Sequence, residues 1–500
     1  MGILAFFILI LVASAFVPQY VVVFLFLNLG LGLFFSFFQS IIALFPHPKP
    51  KQRLSVEPSF VSLIVPAYNE PPAILMQTLE SLRQLDHNRF EVLVIDNNTR
   101  DQDVWRPVES FVQTLSASFR FFHVDKLSGF KAGALNYALD RLYPQSQYVA
   151  VIDADYVVKP NFLNTALSYF LDDKIALVQF PQRYRNGTVE NQSIADEYSH
   201  FFEIYMNMAN RLDCVPSTGT VSVYRLDALR KVGGFRGEAL TEDADVGLRL
   251  YGAGYRGVYA DVAVGYGLMP YDLESYHKQK WRWAFGNVQS LKTLIMLFGK
   301  IPFTSWTGFL LHLTAWHHFH FLPFAALAAF PLVLSPIIPF TYYHKEILVI
   351  ASLSLFITLA SKFLLFLVTL RKKKNFFSRS VKAFFIHMGM TLVYSEAWVA
   401  FALGRKFIFE RTNKFILNKM PSLLKNSYKE LLLGLWYLVG VIVSVMWGDY
   451  MVAFAFFVSA VVLFSVYYVY WKIYPTKQFS EKLSQEADEK YKDFLLKIER

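Results

Sequence analysis

A pair of carboxylates offers the first sign of chemistry in this sequence. Asp153-Ala154-Asp155 follows the apolar run Val149–Ile152, which places two acidic side chains at an exposed strand end. Carboxylates are hard oxygen ligands for Mg²⁺ or Mn²⁺, and such a cation can neutralise the charge of a departing diphosphate. Surface DxD tripeptides are also common in solvated loops. The tripeptide alone therefore leaves a metal site and a solvated loop equally open.

A second acidic cluster, Thr241-Glu242-Asp243, opens a predicted helix that ends near Tyr251. Thr241 suits an N-cap, and the two acids suit the positive end of a helix, so helix capping is one explanation. Asp243 is alternatively a general base, because deprotonation of an acceptor hydroxyl needs a carboxylate positioned near the carbon under attack. The two roles are compatible, and both stay open.

A third cluster, Gln279-Lys280-Trp281-Arg282-Trp283, lies inside the amphipathic stretch Tyr276–Leu297. One interpretation is an interfacial helix whose aromatic and basic residues face phospholipid head groups. At helical spacing, however, Gln279, Arg282 and Trp283 share one face. Arginine can hold a diphosphate and tryptophan can stack on a sugar ring, so one helix surface could join a donor to an acceptor.

The segments before these clusters predict an α/β domain with a mostly parallel sheet. Apolar runs of strand length alternate with helical patterns, and polar residues repeatedly follow the strands. Ligands of open parallel sheets bind at the carboxyl ends of the strands, so the site is expected along that edge. The predicted elements are the strand Phe60–Ala67, the helix Pro72–Leu85, the strand Phe90–Asp96, the helix Lys131–Leu142 and the strand Tyr148–Asp153.

The composition indicates a membrane protein. Of 500 residues, 54% are hydrophobic and 18% charged, which is more apolar surface than one soluble domain can bury. Much of the formal charge of +10 lies beside apolar spans, as in Arg371–Lys374, so we attribute it to topology rather than to nucleic-acid binding. The single cysteine, Cys214, excludes an intramolecular disulfide, and no structural zinc spacing is present.

Hydropathy predicts about six spans with both termini cytoplasmic. The first apolar stretch is predicted to be a hairpin; a cleaved signal peptide is the alternative. Residues 381–403 could cross the membrane, but basic clusters at both ends favour an interfacial helix. The predicted order is a transmembrane hairpin (1–46), a linker (47–59), a cytoplasmic catalytic domain (60–270), an amphipathic interfacial segment (271–300), a hairpin (301–371), an interfacial helix (372–404), a loop (405–418), a hairpin (419–472) and a cytoplasmic tail (473–500).

Taken in chain order, Asp96 and the three clusters described above resemble the D, DxD, TED and QxxRW motifs of the processive members of glycosyltransferase family 2. That family includes cellulose, chitin and hyaluronan synthases. The resemblance extends to Pro66–Glu70 and Phe130–Asn136 and covers residues 60–300. It implies a GT-A-type glycosyltransferase domain inserted between transmembrane α-helices.

Two looser matches concern loops. Phe409–Lys414 resembles the FxVTxK gating loop of cellulose synthases, with Arg411 where valine is usual; a basic cytoplasmic loop is the alternative. Ser217–Thr220 resembles their acceptor-side FCGS stretch, with Thr218 in the cysteine position; a β-turn explains it as well.

The resemblance implies a role for each motif residue. Asp243 would be the general base with Glu242 beside it, and Asp155 would be catalytic by binding Mg²⁺ or Mn²⁺. Trp283, Thr218 and Gly219 would bind the acceptor. The nucleotide-sugar would contact Tyr68, Glu70, Asp96, Lys131, Asp153, Gln279, Arg282, Thr412 and Lys414.

The expected function is that of a membrane-embedded, processive, inverting enzyme that polymerises a UDP-sugar into a β-linked polysaccharide and translocates it. UDP-glucose is the first choice of donor, since the loop match is closest to cellulose synthases. Expected partners are the UDP-sugar, the growing polysaccharide, the bilayer and regulatory or export proteins, and no nucleic acid. Alternatives are a non-processive lipid glycosyltransferase resembling ceramide glucosyltransferase, a chitin, hyaluronan or mannan-type synthase, and a transporter with a regulatory domain. The last would not need the three motifs together.

Overall fold

The computed structural model describes residues 18–45, 49–54, 58–270, 272–315, 345–405 and 423–473, with a few isolated positions before residue 18. Most of residues 1–17, which belong to the predicted first hairpin, and the predicted tail after residue 473 lie outside these ranges. So does the predicted gating loop after Arg405, including Thr412 and Lys414.

A long apolar helix precedes a region of alternating strands and helices, as the sequence predicts. Strand β1 lies between β2 and β4 and is parallel to both, and β2 is parallel to β3. The carboxyl ends of these strands therefore share one sheet edge. In chain order the elements are α1 (Pro18–Leu44), β1 (Val61–Ala67), α2 (Pro72–Arg83), β2 (Phe90–Asn97), α3 (Gln102–Gln113), β3 (Phe119–Val124), α4 (Phe130–Leu139) and β4 (Tyr148–Val151).

The second part of the domain completes a seven-stranded sheet of order β3-β2-β1-β4-β7-β6-β8. Only β7 runs antiparallel to its neighbours, so the prediction of a mostly parallel sheet is confirmed. A π-helical turn, Phe201–Met206, joins α6 to α7. The elements are β5 (Val157–Val158), α5 (Phe162–Leu167), β6 (Ile175–Gln179), α6 (Gln192–His200), α7 (Asn207–Leu212), β7 (Ser222–Arg225), α8 (Leu226–Lys231), α9 (Glu242–Gly252), β8 (Arg256–Tyr259) and β9 (Gly265–Tyr266).

The sheet is covered on both faces, which explains the continuous apolar strands. Alternate side chains of β1 enter two separate cores: Leu63 and Val65 belong to one, and Ile64 to the other. A one-residue slip in register would exchange these cores, so the buried pattern fixes the register and with it the positions of the strand ends.

Two helices lead from the sheet towards the membrane. Helix α10 (Leu273–Met296) contains the predicted amphipathic stretch and begins after Asp272, whose side chain accepts the N–H of Ser275 at 2.7 Å. Helix α11 (Phe303–Leu313) follows and packs against α10. Residues 316–344 of the predicted hairpin 301–371 lie outside the described residues.

Five helical stretches in the described part of the chain are long and apolar enough to cross a bilayer, which identifies a membrane protein. Four of them follow the sheet domain, and three of these lie in the parts of the chain predicted as the hairpins 301–371 and 419–472. The number of spans stays a prediction. The stretches are Val22–Leu44, Leu348–Leu370, Phe376–Ala402, Asn426–Met446 and Tyr450–Ile473.

These stretches fall in five units of helix. They are α1, α12 (Lys345–Leu370), the pair α13 (Phe376–Met388) and α14 (Thr391–Ala402), α15 (Leu423–Met446) and α16 (Tyr450–Ile473).

The ambiguous stretch is a broken helix. Helices α13 and α14 are separated at Gly389-Met390, and together they are also long enough to span. The interfacial placement therefore stays a prediction. Helix α14 packs along α10 and α13 packs along α6, so this stretch is one of the connections between the apolar helices and the sheet domain.

Candidate active site

A cavity of about 260 Å³ lies at the predicted edge of the sheet. Residues from the ends of β1 and β4, from α4, from the start of α9 and from α10 form its wall. The cavity thus brings together clusters that are far apart in sequence. The predicted site residues in its lining are Tyr68, Glu70, Lys131, Asp153, Asp155, Thr218, Gly219, Glu242, Asp243, Gln279, Arg282 and Trp283.

Asp96 is the predicted site residue that the structure places behind this wall. Its buried carboxylate accepts the hydroxyl of Thr99 at 2.7 Å and lies 2.7 Å from His123 Nδ1. Burial raises the pKa of Asp96, although those two hydrogen bonds oppose the change. The neighbouring Asn97 and Asn98 line the cavity instead. Direct contact between Asp96 and a nucleotide is therefore not favoured by this arrangement.

Lys131 ties three parts of the wall together. Its ammonium group donates to Asp153 Oδ1 at 2.5 Å and to the carbonyl of Gly219 at 2.7 Å, and Glu242 Oε1 lies 4.0 Å away. Burial lowers the pKa of Lys131, but the carboxylates of Asp153 and Glu242 more than offset this effect, so the pKa is raised. Lys131 is a fixed positive charge inside the cavity.

The two aspartates of the DxD cluster are held by backbone contacts. Asp153 donates its N–H to Thr220 Oγ1 at 3.0 Å, and Asp155 Oδ2 accepts the N–H of Leu268 at 3.0 Å. No group of three His, Cys, Asp or Glu side chains with metal-binding geometry occurs among the described residues. Mg²⁺ usually takes only one or two carboxylates from a protein and completes its shell with water and substrate phosphates. The donor set therefore fits a cation shared with a diphosphate.

Glu242 and Asp243 are the first residues of α9, as predicted. Thr241 occupies the N-cap position, but its side chain makes no capping hydrogen bond, so capping does not explain this threonine. Asp243 Oδ1 accepts the N–H of Ala244 at 2.9 Å. Burial raises the pKa of both carboxyl groups, and their mutual repulsion adds to the effect on Glu242, whose pKa rises to about 7.

The position opposite Asp243 requires glycine. Gly219 has φ +83°, a conformation that side chains with a Cβ rarely adopt. A Cβ at this position would lie 2.7 Å from Asp243 Oδ2. The loop Ser217–Thr220 can therefore approach the carboxylate closely only because residue 219 has no side chain.

Helix α10 presents three motif residues to the cavity. Gln279 Oε1 accepts the hydroxyl of Tyr198, and the ring of Trp283 meets the ring of Tyr198 edge-on with centroids 5.8 Å apart. Burial lowers the pKa of Arg282, and the nearby carboxylates oppose that change. Gly286 allows α10 to lie against Thr241, since a Cβ there would be 2.3 Å from Thr241 Cγ2.

A smaller chamber of about 60 Å³ adjoins the cavity. Gln182, Thr218, Thr241, Asp243 and Trp283 line both spaces. Within the described residues, three polar atoms of its lining have no hydrogen-bond partner: Thr218 Oγ1, Thr241 Oγ1 and His312 Nδ1. Buried polar atoms without partners are unusual, so these atoms indicate a polar occupant.

Sequence reasoning missed several wall residues. Tyr156 directly follows the DxD cluster and could have been included on that ground. Gln182 and Tyr184 lie in an irregular segment between β6 and α6 that has no recognisable motif. Only the tertiary structure brings them to the site.

The formal charge of the wall is unbalanced. Glu70, Asp153, Asp155, Glu242 and Asp243 contribute five carboxylates, and the cations are Lys131 and Arg282. An excess of carboxylates over cations in a partly buried wall raises the free energy of the folded protein. This arrangement favours a ligand that brings positive charge, such as a divalent cation carried with an anionic substrate.

Comparison with known proteins adds sequence and structural relatives. The model of the family described as "Glycosyl transferase family 2" matches residues 62–233, and the model described as "Glycosyl transferase family group 2" matches residues 148–370. The UDP-forming cellulose synthase catalytic subunit of Komagataeibacter sucrofermentans is 28% identical over 267 residues, 51% of this chain and 34% of the relative. The corresponding subunit of Xanthomonas axonopodis pv. citri is 28% identical over 46% of this chain and 31% of the relative. The chain thus spans about a third of the length of these relatives.

A solved structure shares the fold. A mannosyltransferase from Pyrobaculum calidifontis, in complex with GDP-Man and Mn²⁺, aligns with a TM-score of 0.52 and 18% identity. The alignment covers 77% of this chain and 98% of that chain. At this identity the likeness concerns the GT-A-like fold alone.

Proposed function

We propose that this chain, a cellulose synthase-like member of glycosyltransferase family 2 with helices long enough to span a membrane, extends a β-linked polysaccharide by repeated transfer from a UDP-sugar. The sugar we propose first is glucose. The product would pass from the active site into a path between the membrane helices, with the sheet domain and both termini on the cytoplasmic side.

The position of Asp243 carries this proposal. The carboxylate lies in the wall that the larger cavity shares with the smaller chamber. A base that deprotonates an acceptor hydroxyl must lie between the acceptor and the sugar carbon under attack. A donor in the larger cavity and an acceptor end in the chamber would place Asp243 at that point. Attack from the side opposite to the leaving group would invert the anomeric centre and give a β-linkage from an α-linked donor.

On the donor side, the wall offers groups for each part of a UDP-sugar. Tyr68, Glu70 and Lys131 would surround the nucleotide, with Asp153 beside it through its ion pair to Lys131. Gln279 and Arg282 would hold the diphosphate, and Arg282 would stabilise the charge that develops as UDP departs. Glu242 would sit next to the reacting centre in the pair with Asp243.

A divalent cation, Mg²⁺ or Mn²⁺, fits the carboxylate-rich wall, and Asp155 would hold it. When bound, it would neutralise the diphosphate. The Mn²⁺ in the mannosyltransferase complex supports a metal in this fold without selecting between the two ions.

On the acceptor side, Trp283 would pack against the terminal sugar. Gly219 would leave room for that sugar near Asp243, and Thr218 would donate or accept a hydrogen bond with one of its hydroxyls. The unpartnered atoms of Thr241 and His312 would bind further hydroxyls. This polar chamber next to apolar helices supports a carbohydrate acceptor, and the cellulose synthase relatives support one that remains bound for further additions.

The test uses the full-length protein in detergent or lipid nanodiscs. UDP-glucose, UDP-N-acetylglucosamine and GDP-mannose are supplied in turn with Mg²⁺ or Mn²⁺, and the release of UDP or GDP is measured together with the size of the radiolabelled product. We expect UDP release and high-molecular-weight product from UDP-glucose. A single chloroform-soluble glycolipid would identify a lipid glycosyltransferase instead, and GDP release alone would refute the UDP-sugar donor.

A further inference from the structure

Three consecutive residues of α6 hold two other helices. Asp196 accepts Arg379 Nε of α13 at 2.8 Å. Glu197 accepts Lys280 Nζ of α10 at 2.6 Å, and the hydroxyl of Tyr198 donates to Gln279 of α10. Helix α6 therefore contacts the motif-bearing helix at two adjacent residues and the broken membrane stretch at a third.

Glu197 is the centre of this cluster. Both its side chain and that of Lys280 are fully buried, and His387 of α13 is 1% exposed. Besides Lys280, Glu197 accepts the hydroxyl of Tyr276 at 2.9 Å, and its other oxygen lies 3.1 Å from His387 Nδ1. The carboxylate thus connects the sheet domain, the motif helix and the membrane stretch.

The ion pair is adjacent to the proposed substrate contacts. The Lys280 ammonium group lies 4.3 Å from the ring centroid of Tyr198 and 5.2 Å from that of Trp283. Gln279, on one side of Lys280 in the chain, is held by Tyr198, and Arg282 and Trp283 follow within one helical turn. Contacts at two adjacent residues fix the rotation of α10 about its axis.

Rotation of α10 would be costly for the reaction. A 20° turn would move a side-chain group that is about 6 Å from the helix axis by about 2 Å. Misplacement of about 1 Å in a reacting geometry can cost about 10²-fold in rate. A buried ion pair adds little net stability compared with apolar packing, but its directional contacts can define one geometry. The cluster is therefore better suited to orienting α10 than to stabilising the fold.

We propose that Glu197 is a positioning residue for glycosyl transfer, which sets the orientation of α10 relative to α13 through Lys280 and His387. Helix α13 belongs to the membrane stretch, so this carboxylate links that helix to the substrate-binding face of α10, in addition to the direct packing of α14 along α10. The inference rests on the proposed function in one respect, namely that Gln279, Arg282 and Trp283 contact the substrates.

The first experiment compares Glu197→Gln with Glu91→Gln in the purified full-length protein. Glu91 is also a fully buried carboxylate in an ion pair, with Arg120, but it lies away from α10. Both substitutions remove one buried negative charge, so both should lower the unfolding midpoint. We expect kcat/KM for the donor to fall at least tenfold in the folded Glu197→Gln protein and to stay within twofold of wild type in Glu91→Gln. A wild-type kcat and KM in folded Glu197→Gln, or the same loss in both variants, would overturn the proposal.

Milder substitutions at two residues cover the case in which Glu197→Gln does not fold. Tyr198→Phe removes only the hydroxyl that binds Gln279, and we expect a three- to tenfold higher donor KM with little change in the unfolding midpoint. His387→Leu should show a smaller form of the Glu197→Gln defect, whereas His387→Asn, which can keep a donor near the Nδ1 position, should restore most of the activity. Equal kinetics in His387→Leu and wild type would remove the link to the membrane stretch.

Gln279→Ala separates the two proposals. An unchanged donor KM in this variant counts against the proposed donor contact itself. A raised donor KM in Gln279→Ala together with wild-type kinetics in folded Glu197→Gln, or in His387→Leu if Glu197→Gln does not fold, leaves the proposed function intact and refutes the positioning role.

Discussion

The active-site cavity and the Glu197 cluster contain the same kinds of charged residue but treat charge in opposite ways. In the cavity, carboxylates outnumber cations, and burial together with repulsion raises the pKa of Glu242 to about 7. In the cluster, burial would also raise the pKa of Glu197, but Lys280 and His387 outweigh it and hold the pKa at about 2. The difference lies in the partners and not in the depth of burial.

This contrast separates two uses of buried charge. A wall in which carboxylates outnumber cations is stabilised by a ligand that brings positive charge, so this excess indicates where substrate and metal would bind. A buried charge that protein partners neutralise, as at Glu197, needs no ligand, and its role is to orient the helices that it joins. Substitutions in the two regions should therefore differ both in activity and in stability.

The largest expected effect is at Asp243. Asp243→Asn removes the proposed base, so we expect kcat to fall by about 10²–10⁴ while the donor still binds. The measurements are UDP release and donor-induced stabilisation. Asp227→Asn is a matched control, because exposed Asp227 accepts the N–H of the next residue at 2.7 Å in α8, much as Asp243 does in α9. Retained polymer synthesis in Asp243→Asn would exclude the base role.

For the active-site cavity, the strands and much of the lining could be inferred from the sequence. The apolar runs of β1, β2 and β4 are bounded by polar residues, so both the strands and their shared edge could be inferred. The motif residues are short-range features of strand ends and of one helix face. Twelve of the predicted residues lie in one cavity wall for that reason. Asp96 departs from this pattern because its carboxylate binds Thr99 and His123.

The second region could not be predicted in the same way. Glu197 and Lys280 are 83 positions apart, and their pairing depends on how α6 packs against α10. In the sequence, Lys280 is one basic residue of a motif and Glu197 one acid of a short helix, which typically indicates a solvated face. The sequence also gives no sign of the break at Gly389, because residues 376–402 form one continuous apolar pattern.

The change in the free energy of unfolding should have opposite signs for substitutions in the two regions. Glu197→Gln leaves Lys280 buried without its anion, and breaking a buried pair costs about 3–5 kcal/mol in the free energy of unfolding. Glu242→Gln removes a carboxylate whose charge the fold opposes, so it should stabilise the ligand-free protein at neutral pH while lowering activity. Denaturant unfolding at pH 8 without donor or metal tests both. A loss of stability in both variants would mean that the cavity charges are compensated after all.

The pH dependence should follow the same division. The pKa of Glu242 is raised from 4.5 to about 7, so the folded state binds more protons than the unfolded state in that interval. Glu242 therefore contributes most to the free energy of unfolding below about pH 4.5. This contribution, at most about 3 kcal/mol, is lost as the pH rises through about 7. Glu197, with its lowered pKa, contributes above about pH 4.5 and loses that contribution towards pH 2. The difference in unfolding free energy between Glu242→Gln and wild type should grow from pH 5 to pH 8; a constant difference would contradict the raised pKa.

The smallest effects should come from neutral hydroxyls, which extend the comparison beyond charge. Thr218 Oγ1 has no partner within the described residues, so Thr218→Val loses no internal hydrogen bond and should leave the unfolding free energy unchanged or slightly higher. Its cost should appear only in acceptor binding, as a rise in acceptor KM of up to about tenfold, equivalent to about 1.4 kcal/mol. Thr78→Val is the opposite case, because buried Thr78 donates to the carbonyl of Ala154 at 2.7 Å, and its loss should cost about 1–3 kcal/mol of stability. If Thr218→Val instead destabilised the protein and left acceptor kinetics unchanged, the chamber would hold a structural water rather than the end of the polysaccharide.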